Sequence, residues 1–344
     1  MKKIPLILFT FFLIISPLFS QVSDKSKKNA KTAYNSAVEN IRNLNYSVAL
    51  TYLDAAVDLD PGLNVALIQR AKVNVELGKI SEAMSDFSIA GEKDPKNGEV
   101  DFYLGYLPFD ADNSEIVINR LNASIQKGYR QPQVYYYRGL YYLLKKEYTA
   151  AITDFTAAIE LQTDYALAYH DRATAKRALG DLQGALYDYR LAVNNKSDFA
   201  EAYNNMGSVK IALGDFQGAL ADYSVAIKLK PEFYIAYNNR GTANYYLGKP
   251  DSALFDFDKA IGLQADFIPS MNNKAACLSK NSAYAESISL FDKVIAGDNS
   301  FGKAYLNRGL VHELTGDLDK ACADWKKARD LGVTEAEKYI KECK

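Results

Sequence analysis

Small and large side chains recur along this chain on a fixed period of 34 residues. Counted from Ala30 as position 1, nine blocks run without a gap to Glu335, starting at residues 30, 64, 98, 132, 166, 200, 234, 268 and 302. Position 8 is small in every block: Ala37, Ala71, Gly105, Gly139, Ala173, Gly207, Gly241, Ala275 and Gly309. Position 24 is large and apolar in every block: Leu53, Phe87, Leu121, Phe155, Tyr189, Tyr223, Phe257, Phe291 and Trp325. Position 20 is Ala except at Val117 and Ser287, and position 27 is Ala except at Ser124 and Val294. Chance does not hold such a register across nine blocks.

At about 100° per residue, positions 4, 7, 8 and 11 share one face of a helix, and positions 2, 5, 6, 9, 12 and 13 share the opposite one. Positions 20, 24, 27 and 28 make a second apolar stripe. Between the stripes, at position 15, stand Gly78, Gly180, Gly214, Gly248 and Gly316, which suit a left-handed turn at a helix end. Each block therefore predicts an antiparallel helical hairpin. A single hairpin cannot bury its stripe, so neighbours must stack.

The small residue at 8, Ala at 20, ring at 24 and Ala at 27 resemble the tetratricopeptide repeat (TPR) family over nearly the whole chain. That resemblance implies an all-α, right-handed superhelical solenoid of nine repeats with a concave inner side. The sequence departs from the family in places. Position 4 is mostly Tyr rather than Trp, position 7 is often Arg, and Pro at position 32 is kept only as Pro61, Pro95 and Pro231. Pro108 falls inside the first helix of the third block, where it predicts a shortened or kinked helix. Residues 21–29 read as a linker before the first block. At the other end, residues 334–344 predict a capping helix, with Thr334 and Glu337 as a capping box. Its apolar side would be Ala336, Tyr339, Ile340 and Cys343.

Arg at position 7 and Asp at position 23 occur together in five blocks: Arg70/Asp86, Arg138/Asp154, Arg172/Asp188, Arg240/Asp256 and Arg308/Asp324. A hairpin folded near position 15 sets the two level, so each pair reads as a structural ion pair and not as a ligand site.

Positions 5 and 6 of the later blocks carry a row of asparagines. Asn204, Asn238 and Asn272 occupy position 5; Asn205, Asn239, Asn273 and Asn307 occupy position 6, with His170 and Asp171 in the same two places of the fifth block. An amide both donates and accepts, so such a row suits an extended peptide backbone; it serves equally as a solvated polar edge. The fourth block differs. Its inner positions are Tyr136, Tyr137, Leu140, Leu143 and Leu144, an apolar set that reads either as a partner contact or as packing against the irregular third block. Tyr245 and Tyr246 form a second, smaller aromatic pair.

Charge adds an exclusion. The chain carries 41 basic and 42 acidic residues, a balance that gives no electrostatic reason to bind nucleic acid or an anionic membrane. The first 20 residues have a basic start (Lys2, Lys3), an apolar stretch Ile4–Ile15 and the breaker Ser16-Pro17. They read as a secretory signal peptide cut after Ser20, which predicts an exported protein, periplasmic or secreted, with no integral membrane segment once the signal is removed. Three cysteines exclude a disulfide-built scaffold; Cys322 and Cys343 either pair or remain two buried thiols.

No motif for catalysis, metal or phosphate stands out, and no cofactor is expected. The reading is a non-catalytic scaffold that binds an unidentified protein or peptide partner in the concave groove. The alternative is a glycan or small-ligand binder using the same Tyr/Asn-lined groove. Self-association through an open end of the array is a further expectation.

Overall fold

A computed structural model describes residues 22–109, 114–341 and 343 of the chain. Among these residues all regular structure is helical. The signal reading of residues 1–20 lies outside them. The helices form two compact units, one ending at Arg130 and the other beginning at Gln131.

The first unit holds repeats 1–3. Repeat 1 pairs Asp24–Arg42 with Tyr46–Leu59, and repeat 2 pairs Asn64–Glu76 with Ile80–Lys93. The first helix starts six residues earlier than the block frame, so most of the expected linker at 21–29 is helical. Ser23 is the reason: its side chain accepts from the Ser26 backbone N–H, and Asp24 adds a negative charge to the first turn. Repeat 3 opens with a helix of only nine residues, Gly98–Tyr106, capped by Asn97 and followed by Pro108 two residues past its end. Its second helix is Ser114–Gln126. The shortened helix is the one that Pro108 predicts.

The second unit holds repeats 4–9. Their first helices are Pro132–Leu144, Ala166–Ala178, Ala200–Ala212, Tyr234–Tyr246, Ile268–Lys280 and Gly302–Leu314. Their second helices are Tyr148–Leu161, Leu182–Asn195, Phe216–Leu229, Pro250–Leu263, Tyr284–Gly297 and Leu318–Asp330. Within each unit the two helices of a repeat pack together, and each second helix packs on the next first helix.

The periodic positions explain that packing. The side chains at position 24 are fully buried or nearly so, and the alanines at 20 and 27 are fully buried. Each buried ring contributes on the order of 2 kcal/mol. Position 8 must be small because the ring at 24 lies against it. A Cβ added at Gly207 would stand 2.7 Å from the Tyr223 ring, and one at Gly309 would stand 2.6 Å from Trp325.

Position 15 is left-handed in repeats with and without glycine. Gly78, Gly180, Gly214, Gly248 and Gly316 have φ between 69° and 85°, but Leu44, Lys146 and Ser282 take φ of 57°, 61° and 62° at the same place. Eight hydrogen bonds of one kind, among the described residues, explain why the chain accepts this. The residue after the turn donates its N–H back into the first helix, as Glu147 does to the Tyr142 carbonyl at 2.8 Å.

All five Arg/Asp pairs form, each with Nε and Nη2 on one carboxylate; Arg172 lies 2.8 Å from both oxygens of Asp188. The carboxylates are buried, so these pairs are not the wet surface contacts that contribute little. The guanidinium also reaches backward to position 25 of the preceding repeat: Arg70 to Asp54, Arg172 to Thr156 and Arg240 to Ser224. Position 7 thus ties three helices together.

The C-terminal cap is shorter than the expected helix at 334–344. It is a 3-10 turn, Thr334–Ala336, followed by a four-residue helix, Glu337–Ile340. Thr334 makes no side-chain cap, because Val333 occupies the N-cap position. A segment this short has little helical stability of its own. Packing holds it: Ala336, Tyr339, Ile340 and Cys343 all lie on the Trp325 cluster, Tyr339 stacks on Trp325, and Cys343 is bonded to Cys322.

Candidate functional site

The inner residues of repeats 4–9 form one hydrogen-bonded chain. At its low-numbered end the Tyr136 hydroxyl donates to Asp171 Oδ2 at 2.9 Å, and His170 Nδ1 lies 2.8 Å from Asp171 Oδ1. His170 Nε2 meets Asn205 Nδ2 at 3.0 Å. From there the link repeats. Asn204 Nδ2 donates to Asn205 Oδ1, and Asn239 Nδ2 donates to Asn204 Oδ1 at 3.0 Å. Asn238 gives to Asn239, Asn273 to Asn238, Asn272 to Asn273, and Asn307 to Asn272.

The rule behind the chain is simple. Position 6 of one repeat donates to position 5 of the repeat before it, 35 residues back. Position 5 of each repeat then donates to its own neighbour at 6. Helix stacking places the two positions on the seam between adjacent first helices. The expected open amide row is therefore divided: Asn204, Asn238 and Asn272 are buried beneath the seam, while Asn205, Asn239, Asn273 and Asn307 are half-buried and remain partly open to solvent. Much of the row's hydrogen-bonding capacity is spent between repeats.

Tyr136 is also buried, which removes it from an exposed patch. It packs among Tyr137, Phe155 and Tyr165, and its hydroxyl is turned to Asp171. Burial, with Asp171 beside it, pushes its pKa far above the ordinary phenol value. Tyr137, Leu140 and Leu143 are half-buried against the same core, and Leu144 alone of the five is strongly exposed. Packing on its own second helix and on the following repeats, rather than the expected packing against the third block, accounts for most of the apolar fourth block among the described residues.

An open cleft lies farther along the unit. Thr242, Tyr245, Tyr246, Asn272, Asn273 and Asn307 line a space of about 240 Å³ with Phe257 and Ala276. Tyr246 is exposed and stacks on Phe216; the Lys280 ammonium sits 4.4 Å from the centre of the Tyr245 ring. Asn307 ends the amide chain here, and among the described residues nothing donates to its Oδ1. The cleft thus offers aromatic walls, a hydroxyl and a spare amide acceptor.

The electrostatics are otherwise structural. Asp222, in the one repeat of the second half with Met206 at position 7 and Lys210 as its cation instead, has its pKa raised by burial even though Lys210 Nζ lies 2.6 Å away. Burial pushes the Tyr223 phenol up to about 12. Among the described residues no group of three or more His, Cys, Asp or Glu side chains is arranged to hold a metal ion, and no helix is long and apolar enough to cross a membrane.

Two family models match the chain. One, described as TPR repeat, covers residues 207–248; the other, described as tetratricopeptide repeat, covers residues 132–165 and 234–267. The chain is a tetratricopeptide-repeat protein. Solved structures share the fold of this TPR protein. A tetratricopeptide repeat protein from Parabacteroides merdae is 18% identical, covers 81% of this chain and 97% of its own, and has a TM-score of 0.51. Pseudomonas aeruginosa pilF is 22% identical over 61% of this chain and 97% of its own, with a TM-score of 0.53. The C-terminal part of a TPR repeat-containing protein from Cytophaga hutchinsonii is 18% identical over 69% of this chain and 98% of its own, also at 0.53. At these identities the likeness is one of fold. A search of the curated proteins finds no match.

Two features were not foreseen from the sequence: the backward reach of Arg at position 7 to position 25, and the offset of 35 that links the amides. Both leave a trace. Asp, Thr or Ser stands at position 25 before each Arg that uses it, and the Asn-Asn pairs occupy adjacent positions in consecutive repeats.

Proposed function

We propose that this TPR protein is a non-catalytic scaffold that binds a segment of a partner protein along the inner face of repeats 4–9. The carrying observation is the cleft at Thr242, Tyr245, Tyr246 and Asn307. There the inner face keeps exposed aromatic surface and an unspent amide acceptor together. Such a combination holds a chain by ring contact and backbone hydrogen bonds without demanding a fixed sequence. A signal peptide at residues 1–20 would place this work outside the cytoplasm. Chemical sequencing of the mature protein tests that part, with Gln21 expected as the first residue.

Photo-crosslinking in cells tests the site. A crosslinker placed at Tyr246 or at Asn307 should give one mapped partner peptide, and a crosslinker at the exposed Tyr187, on the second helix of repeat 5, should not. A synthetic copy of that peptide should bind the purified chain saturably, with Tyr246→Ala weakening it about tenfold, the loss of one ring contact of about 1.4 kcal/mol. Crosslinks from Tyr187 alone would overturn the reading.

A further inference from the structure

The amide chain has a direction. Each Nδ2 from Asn307 to Asn205 donates toward the low-numbered end, and none donates the other way. Amides alone do not choose: turning every one by 180° would give an equally connected chain. The choice is made at His170. Its Nδ1 faces the Asp171 carboxylate, which can only accept, so the proton of the neutral ring sits on Nδ1 and Nε2 is left to accept from Asn205. Asp171, an acceptor only, has its second oxygen taken by the Tyr136 hydroxyl.

We propose that His170 is the proton-controlled end of this relay, and that protonating it reverses the amide chain through to the cleft at Asn307. A proton taken from solvent onto Nε2 turns that atom from acceptor to donor, while Nδ1–H stays on Asp171. Asn205 Nδ2 then faces a donor. Turning the Asn205 amide restores the bond, with Oδ1 accepting from Nε2–H, but sets its Nδ2 against Asn204 Nδ2. The same conflict passes in turn to Asn239, Asn238, Asn273, Asn272 and Asn307. The Thr242 hydroxyl accepts from Asn273 and donates its one proton to the Asn238 backbone carbonyl at 3.0 Å; in the reversed chain it leaves that carbonyl to donate to Asn273. At the far end the free atom of Asn307 changes from an acceptor to a donor, and the cleft changes the chemistry it offers.

The surroundings of the ring fit this role. Tyr189 meets it edge-on from the second helix of the same repeat, and Phe199, the residue that leads into the next repeat's first helix, packs on it. The charged and titratable groups that face it are Asp171 on its own helix, Tyr136 through Asp171 from the repeat before, Tyr189, and Glu201 of the following repeat, which is itself held by Lys230. The ring is half-buried, so a proton can reach it from solvent. The proposal does not depend on any partner in the groove.

The test is the side-chain amide spectrum of the full-length, nitrogen-15-labelled chain as pH falls from about 8 to about 5, the range in which histidine changes charge. The amide signals of Asn205, Asn239, Asn273 and Asn307 should all move, with one midpoint equal to that of the His170 ring. His170→Phe should abolish all four movements. Asn239→Ala, at a half-buried position, should leave the movement at Asn205 and silence Asn273 and Asn307. Movement at Asn205 alone in the unsubstituted chain would overturn the relay. So would movement at Asn307 that survives Asn239→Ala.

Discussion

Asn239 donates from Nδ2 to Oδ1 of Asn204, and so joins two repeats through a buried amide at 3.0 Å. Asn204 spends its own Nδ2 on Asn205. Replacing Asn204 by Ala removes both bonds from the seam and should cost about 2 kcal/mol, at about 1 kcal/mol for each neutral hydrogen bond. Asn307→Ala, at the open end, removes a single bond and should cost about half as much. Denaturant unfolding of the full chain, with hydrogen exchange to locate the loss in repeats 5–7, checks the ranking.

Arg138 holds the buried Asp154 with two hydrogen bonds of 2.8 and 2.7 Å. Arg138→Ala strands that carboxylate in a place water scarcely reaches, and should destabilise by about 3–5 kcal/mol. Arg138→Lys should recover only part of the loss, because an ammonium cannot reproduce the fork. Thermal melts of the two variants should show this order. A loss below about 1 kcal/mol for Arg138→Ala would mean the pair acts as an exposed one.

Leu44 sits at φ 57° with its side chain largely in solvent. A left-handed conformation costs a residue with a Cβ about 1–2 kcal/mol, and Leu44 recovers little of that by burial. Leu44→Gly should therefore raise the denaturant midpoint of the first unit, by about 1 kcal/mol in stability. The reverse substitution, Gly214→Ala at φ 80°, should lower that of the second by a similar amount.

Asp222 makes stability depend on pH with a sign opposite to that of most carboxylates. Its folded pKa is raised by burial, so the folded chain binds this proton more readily than the unfolded chain does. Stability contributed here is present below the ordinary carboxylate value of about 4 and is lost as pH rises through the higher folded value. Asp222→Asn should remove that downward slope. Melting temperatures of both chains, measured between about pH 4 and about pH 7, check the sign.

The hairpins were legible because their signals are local and repeated. Position 8 against 24, Arg at 7 against Asp at 23, and glycine at 15 each act within one block, and nine copies of the first and five of each of the others make them visible. Pro108 announced the short helix of repeat 3 for the same reason. The groove was less legible because its character depends on contacts between blocks. Counting angles put Asn204 and Asn205 on one face, but only stacking buries the first under the amide of the next repeat. Tyr136 read as exposed on the same angular argument, and a hydroxyl bond to Asp171 35 residues away turned it inward. The cap failed at its first residue: a Thr three places before a Glu looks like a capping box, yet here Val333 leads the turn.

The cap also gives the molecule a built-in optical probe. Trp325 is the chain's sole tryptophan, it is fully buried, and Tyr339 lies stacked on it. Cutting the Cys322–Cys343 bond frees the segment that shields it, a link that closes 21 residues and so is worth about 3 kcal/mol in restricted unfolded-chain entropy. Indole emission therefore reports the terminal repeat and no other. A reductant that loosens this end would redden the fluorescence while the remaining eight hairpins keep their circular dichroism, so fraying at one extremity can be watched separately from melting of the whole.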